Sequence, residues 1–584
     1  MPHRSARPTR EGASSGPSAE RAHPSGGQER SGAGRREGLK DTTESIVVAF
    51  ILAFVFRAFI IEAFVIPTGS MAATLYGKHG TVTCTDCGWE FSFGLADQSQ
   101  RPLAGDYAVR PGTPIICQNC GHENASPRVN DRTGNAEPGD RILVFKWPYD
   151  LAGERLGPHR WDITVFKDPN DGDINFIKRL VGVPNEVLEI IDGDVYTVPV
   201  AELSEATMGT LDALRHLKYL HRAEKRRPPR RSEQVPTEGR EAMLEELARK
   251  LRVCRKAPAA QRSLWTVVYH HDYPPQERRR GQPYWAAPDD ETGTWDTSRR
   301  RIRCRSRGSE TGDLVFAGKP IDDSCAYNAN PSAHAEYNPV GDLNLELVLV
   351  PQAGDGYLEL QLFKSPDTFR AVIMADGRLE LYRSVASEPR AFDEALCINR
   401  LAPLKPQQPI AVSFRNVDYR VSLEIDGTEV LATTDEQYAP DVQTLRRPER
   451  RRASVKMRAG DFDFDLWHVV LWRDVYYISE GLEPVALPGG GTGWGTTGNP
   501  VWLREGEYFM LGDNSAASKD SRLWSMPGEH LLARGEGYQL GTVPEDQLIG
   551  RAFFVYWPSG HRTELIPFLR WGIIPNVGRM RWIH

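Results

Sequence analysis

The distribution of apolar and polar positions divides the chain into stretches of different rhythm. Only one run is apolar throughout, the eleven residues Ile46–Phe56 within Ser45–Pro67, and Arg57 and Glu62 interrupt the apolar residues beyond it. A buried core helix is one reading, but the run presents no polar face. A cleaved leader would need small residues at its cleavage site, and Phe-Val-Ile-Pro offers none. A single-span anchor over residues 41–62 fits if Arg57 snorkels to the headgroups and the chain then turns into a strand. Beyond Thr68 the pattern is one of short strands, at Arg141–Lys146, Asp162–Lys167 and Phe176–Val183. Leu211, Leu214 and Leu217 then fall at helical spacing in a basic interlude that includes Arg222–Arg231. That basic run reads as a solvated loop or as a patch for anionic headgroups. From residue 262 to 475, β stretches recur about every ten residues. They include Asn344–Pro351, Gly356–Phe363, and two alternating runs, Phe369–Arg383 and Tyr419–Thr433, each centred on an Asp-Gly hairpin turn. Such spacing predicts an antiparallel sandwich.

Composition narrows the classes. A net charge of −6 over 584 residues gives no basic footprint for nucleic acid. A mean hydropathy of −0.47 excludes a multi-spanning membrane protein. The 52 Gly and 42 Pro follow no period, which suits a turn-rich β protein rather than a fibrous one. Residues 1–40 hold eight Lys/Arg and almost nothing apolar, so this tail cannot offset its ordering entropy and is expected to be disordered. With the basic tail cytoplasmic, everything after the anchor would lie outside.

Four of the eight cysteines are grouped. Cys84-x₂-Cys87-Gly and Cys117-x₂-Cys120-Gly are two similar turns with 29 residues between them. Paired units of this kind read as a Cys₄ zinc ribbon with a structural ion, or, outside the membrane, as two disulfides. His122 is a substitute ligand candidate. Cys254, Cys304, Cys325 and Cys397 have no metal spacing. Trp265, Trp285 and Trp295 offer either sugar-stacking faces or core rings, and no paired carboxylates suggest a second activity.

Three further segments carry candidate chemistry: Ile66–Met71 (IPTGSM), Phe176–Pro184 (FIKRLVGVP) and Tyr508–Arg522 (YFMLGDNSAASKDSR). Lys178 stands inside an apolar strand, where desolvation disfavours an ammonium ion. With Phe56–Met71, Gly139–Trp147, Asp162–Pro169, Ile177–Ile190, Tyr508–Trp524 and Val543–Pro558 in this order, the chain resembles the type I signal peptidases, the Ser/Lys proteases of protein export. The resemblance implies Ser70 as nucleophile, Lys178 as general base, and the Ser70 amide with the Thr68 hydroxyl as oxyanion hole. It further implies Ser518 as the residue orienting the lysine, Asp520 and Arg522 as loop support, and Met71 against the site. Ser515, Ala516 and Ala517 depart from the family's usual Arg-Asp-Asn, which puts the loop's salt bridges in doubt. The implied substrate is a signal peptide held as an extended strand, with small side chains one and three residues before the cut. The FVIP strand is a candidate to pair with it near the bilayer.

The expected architecture is therefore mainly β, with a signal-peptidase-type catalytic core behind one N-terminal transmembrane helix. Its parts are a basic cytoplasmic tail (1–40), an anchor (41–62), a first core segment (63–200) with a zinc-ribbon-like insertion (78–128), and a helical basic insertion (201–261). A concanavalin/laminin-G-like β-sandwich (262–475) and a second core segment (476–584) complete the chain. Catalysis needs no cofactor in this reading, and the partners are signal peptides of secretory precursors and the lipid bilayer of a bacterial cytoplasmic membrane. The rival is a membrane-tethered binding protein, ribbon plus lectin-like sandwich, on a core that does not cut. Neither oligomeric state nor the sandwich's ligand is legible.

Overall fold

A computed structural model describes residues 33–94, 114–125, 137–146, 157–223, 237–276, 283–288, 294–308, 311–324, 327, 337–385, 394–447, 453–479, 493–524, 527–558 and 576–583. Most of the basic tail, the run 224–231, Cys325 and the tail residues 567–575 lie outside the described residues. The chain forms two units, Met1–Ala58 and Phe59–His584.

In the first unit the apolar run is part of a helix, Ala33–Phe59. Phe50, Leu52 and Phe54 on it are exposed. Among the described residues no helix is long and apolar enough to cross a membrane. The eleven-residue apolar core rises only about 16 Å against a hydrocarbon thickness near 30 Å. The expected anchor boundary also shifts, because a strand begins at Ile61, ahead of residue 62.

The second unit is mainly β, as expected. One sheet runs in the order Ile61–Val65, Arg141–Phe145, Leu548–Trp557, Ile163–Lys167, Asn175–Gly182, Glu507–Leu511 and Val543–Pro544, with Arg581–Trp582 beside Leu548–Trp557. Segments from opposite ends of the chain thus interleave, which brings the separated boxes together. Ile66, Met71, Leu75, Ile142, Val144 and Val555 form the apolar cluster beneath one face. A four-stranded sheet of Arg252–Val253, Asp194–Pro199, Glu186–Ile191 and Val501–Leu503 adjoins it.

The region expected as a sandwich is one continuous thirteen-stranded antiparallel sheet. Two long strands, Leu343–Lys364 and Ala453–Arg473, pair along their lengths and run through both halves. Asn344–Pro351 and Gly356–Phe363, expected as separate strands, are therefore one. The chain between them bulges at Pro351–Tyr357 instead of reversing. Leu345, Leu347 and Phe414 from one half share a core with Leu360, Phe369 and Leu381 from the other. Both Asp-Gly signals are hairpins. At Asp426-Gly427 both residues have positive φ, 50° and 76°, as a tight two-residue turn requires. Trp285 and Trp295 are buried in this core, while Trp265 is half-buried.

Candidate active site

Leaving the strand Ile61–Val65, the chain makes a short 3₁₀ turn, Gly69–Met71. Met71 is fully buried, and the Leu75 amide donates to its carbonyl, so the turn is clamped to the sheet through apolar side chains. Ser70, between Gly69 and Met71, is half-buried. Lys178 lies on the strand Asn175–Gly182, opposite Thr164 of the neighbouring strand. Strand alternation aims it at the Ser70 turn: its Nζ is 2.7 Å from Ser70 Oγ and 3.1 Å from the Ile177 carbonyl. Only 4% of the residue is exposed, and the Phe176 ring lies 5.3 Å from the amine.

The loop after Glu507–Leu511 fastens this pair. Asn514 donates from its amide to the Ser70 carbonyl and from Nδ2 to the Gly69 carbonyl, both at 3.0 Å. Asp520 and Arg522, expected as loop support, form a fully buried pair at 2.7 Å. Asp520 Oδ2 also accepts from the Gly512 amide. Arg522 donates to the Ser515 hydroxyl and carbonyl, so the Ser that departs from the family pattern takes part in the loop's own bonding.

One placement differs from expectation. The Ser518 hydroxyl is buried but makes no hydrogen bond, and so does not orient Lys178 in this structure. It lies against Gly512, where a Cβ would sit 2.1 Å from it and 2.7 Å from the Ser70 carbonyl oxygen. The half-buried Thr68 makes no side-chain cap hydrogen bond.

Sequence reasoning missed the pair beside the lysine. Arg179, wholly buried, grips Asp513 through two bonds of 2.7 Å, and also donates to the Trp161 carbonyl. Burial works against the guanidinium, but the adjacent Asp513 carboxylate outweighs it and raises the arginine above its ordinary value. Lys-Arg and Gly-Asp-Asn were visible as letters, yet nothing local joins partners 334 positions apart.

The four grouped cysteines converge as well. All are buried, and their sulfurs lie within 4.8 Å of one another, close enough to hold a metal ion. Cys84–Cys120 and Cys87–Cys117 sulfur separations are 3.6 and 3.7 Å, and the thiols are free. The two turns are equivalent: the Gly88 and Gly121 amides donate back to the Cys84 and Cys117 carbonyls. His122 instead meets the Thr85 hydroxyl, at 3.0 Å. Cys254 meets the Thr197 hydroxyl and Cys397 donates to the Ala432 carbonyl, and neither is in a disulfide.

The sequence profile of the family described as "Signal peptidase, peptidase S26" matches residues 124–238 and 486–557. Lys178, Ser518, Asp520 and Arg522 fall inside these segments and Ser70 outside them. Signal peptidase I of Rickettsia typhi is 27% identical over 184 residues, 31% of this chain and 52% of that protein. The Rickettsia conorii enzyme is 38% identical over 176 residues, 30% and 49% of the two. The chain thus spans about half the length of the curated relatives it matches. The likeness to type I signal peptidases read from the sequence boxes holds. Among solved structures, the carbohydrate binding module CBM66 from Bacillus subtilis is similar with a TM-score of 0.21 and 12% identity, covering 32% of this chain and 94% of that one. The Caenorhabditis elegans galectin LEC-6 is similar with a TM-score of 0.16 and 13% identity, covering 25% and 91%.

Proposed function

We propose that the chain is a membrane-associated serine endopeptidase that removes signal peptides from exported proteins, cutting after small residues. The main support is the 2.7 Å approach of Lys178 Nζ to Ser70 Oγ with the lysine withdrawn from water. Desolvation disfavours an ammonium ion, and an uncharged amine at this distance takes the hydroxyl proton as Ser70 attacks a carbonyl. The protonated amine then returns that proton to the leaving nitrogen. Charge developing on the carbonyl oxygen needs preset donors. The Ser70 amide, near the start of its turn, and the Thr68 hydroxyl, which does not cap that turn, are assigned to it. Asp520 and Arg522 keep the loop rigid behind the dyad.

The strand Ile61–Val65 ends its sheet, so an extended substrate adds to its edge and runs toward Ser70. The exposed apolar residues of Ala33–Phe59 support association with the bilayer, the tail remaining cytoplasmic and the catalytic unit exoplasmic. Incubating the detergent-solubilised protein with a precursor bearing an A-x-A site, then weighing the products, tests the proposal. One cut directly after the second Ala is expected; an intact precursor overturns it. In the same assay Gly512→Ala is expected to lose roughly 100-fold in rate, because the new methyl displaces the Ser70 turn or Ser518.

The four cysteines are assigned to a structural zinc ion. Zn–S bonds of ~2.3 Å in a tetrahedron separate sulfurs by ~3.8 Å, near the observed 3.6 and 3.7 Å, whereas a disulfide needs ~2.05 Å. Four thiolates leave no open position for water, so the ion would hold the two turns together. Elemental analysis is expected to find about one zinc per chain, lost in Cys84→Ser with Cys117→Ser. Zinc-free protein with two disulfides by mass would reverse the assignment.

A further inference from the structure

A cavity of about 180 Å³ opens beside the Ser70 turn, and the inserted segments build most of its wall. At a liquid share of roughly 30 Å³ per water it holds about six, enough for a large side chain. The catalytic unit contributes Ala72, Ala73 and Asn514, and the inserted segments contribute Trp89, Trp265 and Tyr327. Tyr327 packs directly on the turn, since a Cβ added to Gly69 would sit 2.5 Å from its ring.

Besides Trp89 Nε1, two polar atoms in this wall are buried without a partner. One is the hydroxyl of Tyr327, a residue 6% exposed, and the other is Oδ1 of Asn514, 3% exposed. The Asn514 orientation follows from its network, because Nδ2 faces the Gly69 carbonyl and leaves Oδ1 as an acceptor. Leaving such groups unpaired costs free energy, so a site that keeps both is built for something that satisfies them. An acceptor and a hydroxyl donor against an aromatic wall match one peptide unit, its N–H and C=O, carrying a large apolar side chain.

We infer that this cavity is a subsite for the substrate polypeptide on the far side of the cut, taking an aromatic or large aliphatic residue shortly after the scissile bond. It rests on the peptidase reading above. The edge strand Ile61–Val65 precedes Ser70 and serves the residues before the cut, whereas Ala72 and Ala73 follow it. A substrate that passes over Ser70 and leaves on the Ala72–Ala73 side would enter the cavity. The inserted segments thereby select among precursors by their mature N-termini, a task the Ser/Lys pair cannot perform.

The test compares kcat/KM for two peptides with the same A-x-A segment, one ending at the first residue after the cut and one extended by four residues that include Phe. In the unaltered protein the extended peptide is expected to be preferred at least tenfold. Tyr327→Phe, which removes only the hydroxyl, lowers that preference about fivefold, chiefly through KM. Trp265→Ala lowers it further when Phe is present, but not when Gly replaces it. Equal preference in all three proteins, each with an unchanged melting temperature, overturns the subsite and leaves the peptidase reading intact. Failure of the unaltered protein to cut either peptide overturns that reading, and the subsite with it.

Discussion

Ser70→Ala and Lys178→Ala are each expected to lower precursor cleavage by a factor on the order of 10⁴–10⁶, with the double variant no slower than either single one. Such non-additivity arises when two groups act as one unit. Without the amine the hydroxyl keeps its proton, and without the hydroxyl the amine has nothing to activate. The 2.7 Å contact is what makes them one unit. Lys178→Arg is the sharper variant. It preserves a cation and its length, but a guanidinium is effectively never uncharged and cannot accept the serine proton. A lysine that merely supplied positive charge would be replaced by arginine at small cost, whereas a lysine acting as base would not. Single-turnover rates for the four proteins, with melting curves to show that each is folded, separate the two roles. Appreciable cleavage by Lys178→Arg excludes Lys178 as the base.

How much of this was legible in the sequence depends on the range over which each feature is encoded. The hairpins at Asp376-Gly377 and Asp426-Gly427 were legible because the turn residues and the strands they join are neighbours in the chain. Ser70 and Lys178 were legible as members of ordered boxes, although neither residue alone stood out from a turn serine or an edge lysine. The converging cysteines were readable from spacing. The features that escaped were long-range. Arg179 and Asp513 meet because strands from distant segments are neighbours in one sheet, which no local pattern records. The 22-residue strand Leu343–Lys364 was read as two, since Gly354 and Gly356 look like a turn and are instead a bulge packed against Asp461 and Gly460. The Ser518 hydroxyl was assigned a partner by resemblance, and its side chain lies against Gly512 instead.

The same long range hides the second large effect. Lys256→Met is expected to destabilise the unit Phe59–His584 by about 3–5 kcal/mol, seen as a fall in melting temperature on the order of 3–5 °C. The Lys256 amine, 1% exposed, is bound by Asp418 and lies 2.7 Å from Asp474. Lys364 is bound by Asp342 and lies 3.6 Å from Asp194. Two ammonium ions thus face four buried carboxylates, and the Asp418 amide donates to Asp342, linking the two groups. Burial pushes Asp474 up to about 6 despite Lys256, and raises Asp194 well above the carboxylate range. The folded chain therefore holds protons on these groups that an unfolded chain, near 3.9, has lost. By linkage, stability contributed by Asp474 is full below about pH 4 and declines as pH rises toward 6, where both states are ionised. Removing the Lys256 charge takes away the largest influence holding Asp474 down, so its value climbs and the decline extends to higher pH. Lys256→Met should consequently lose more at pH 8 than at pH 5. Melting curves across that range check both the size and the direction of the effect. A loss under about 1 kcal/mol at pH 8, or one that is larger at pH 5, would mean that the amine is not what neutralises this buried charge.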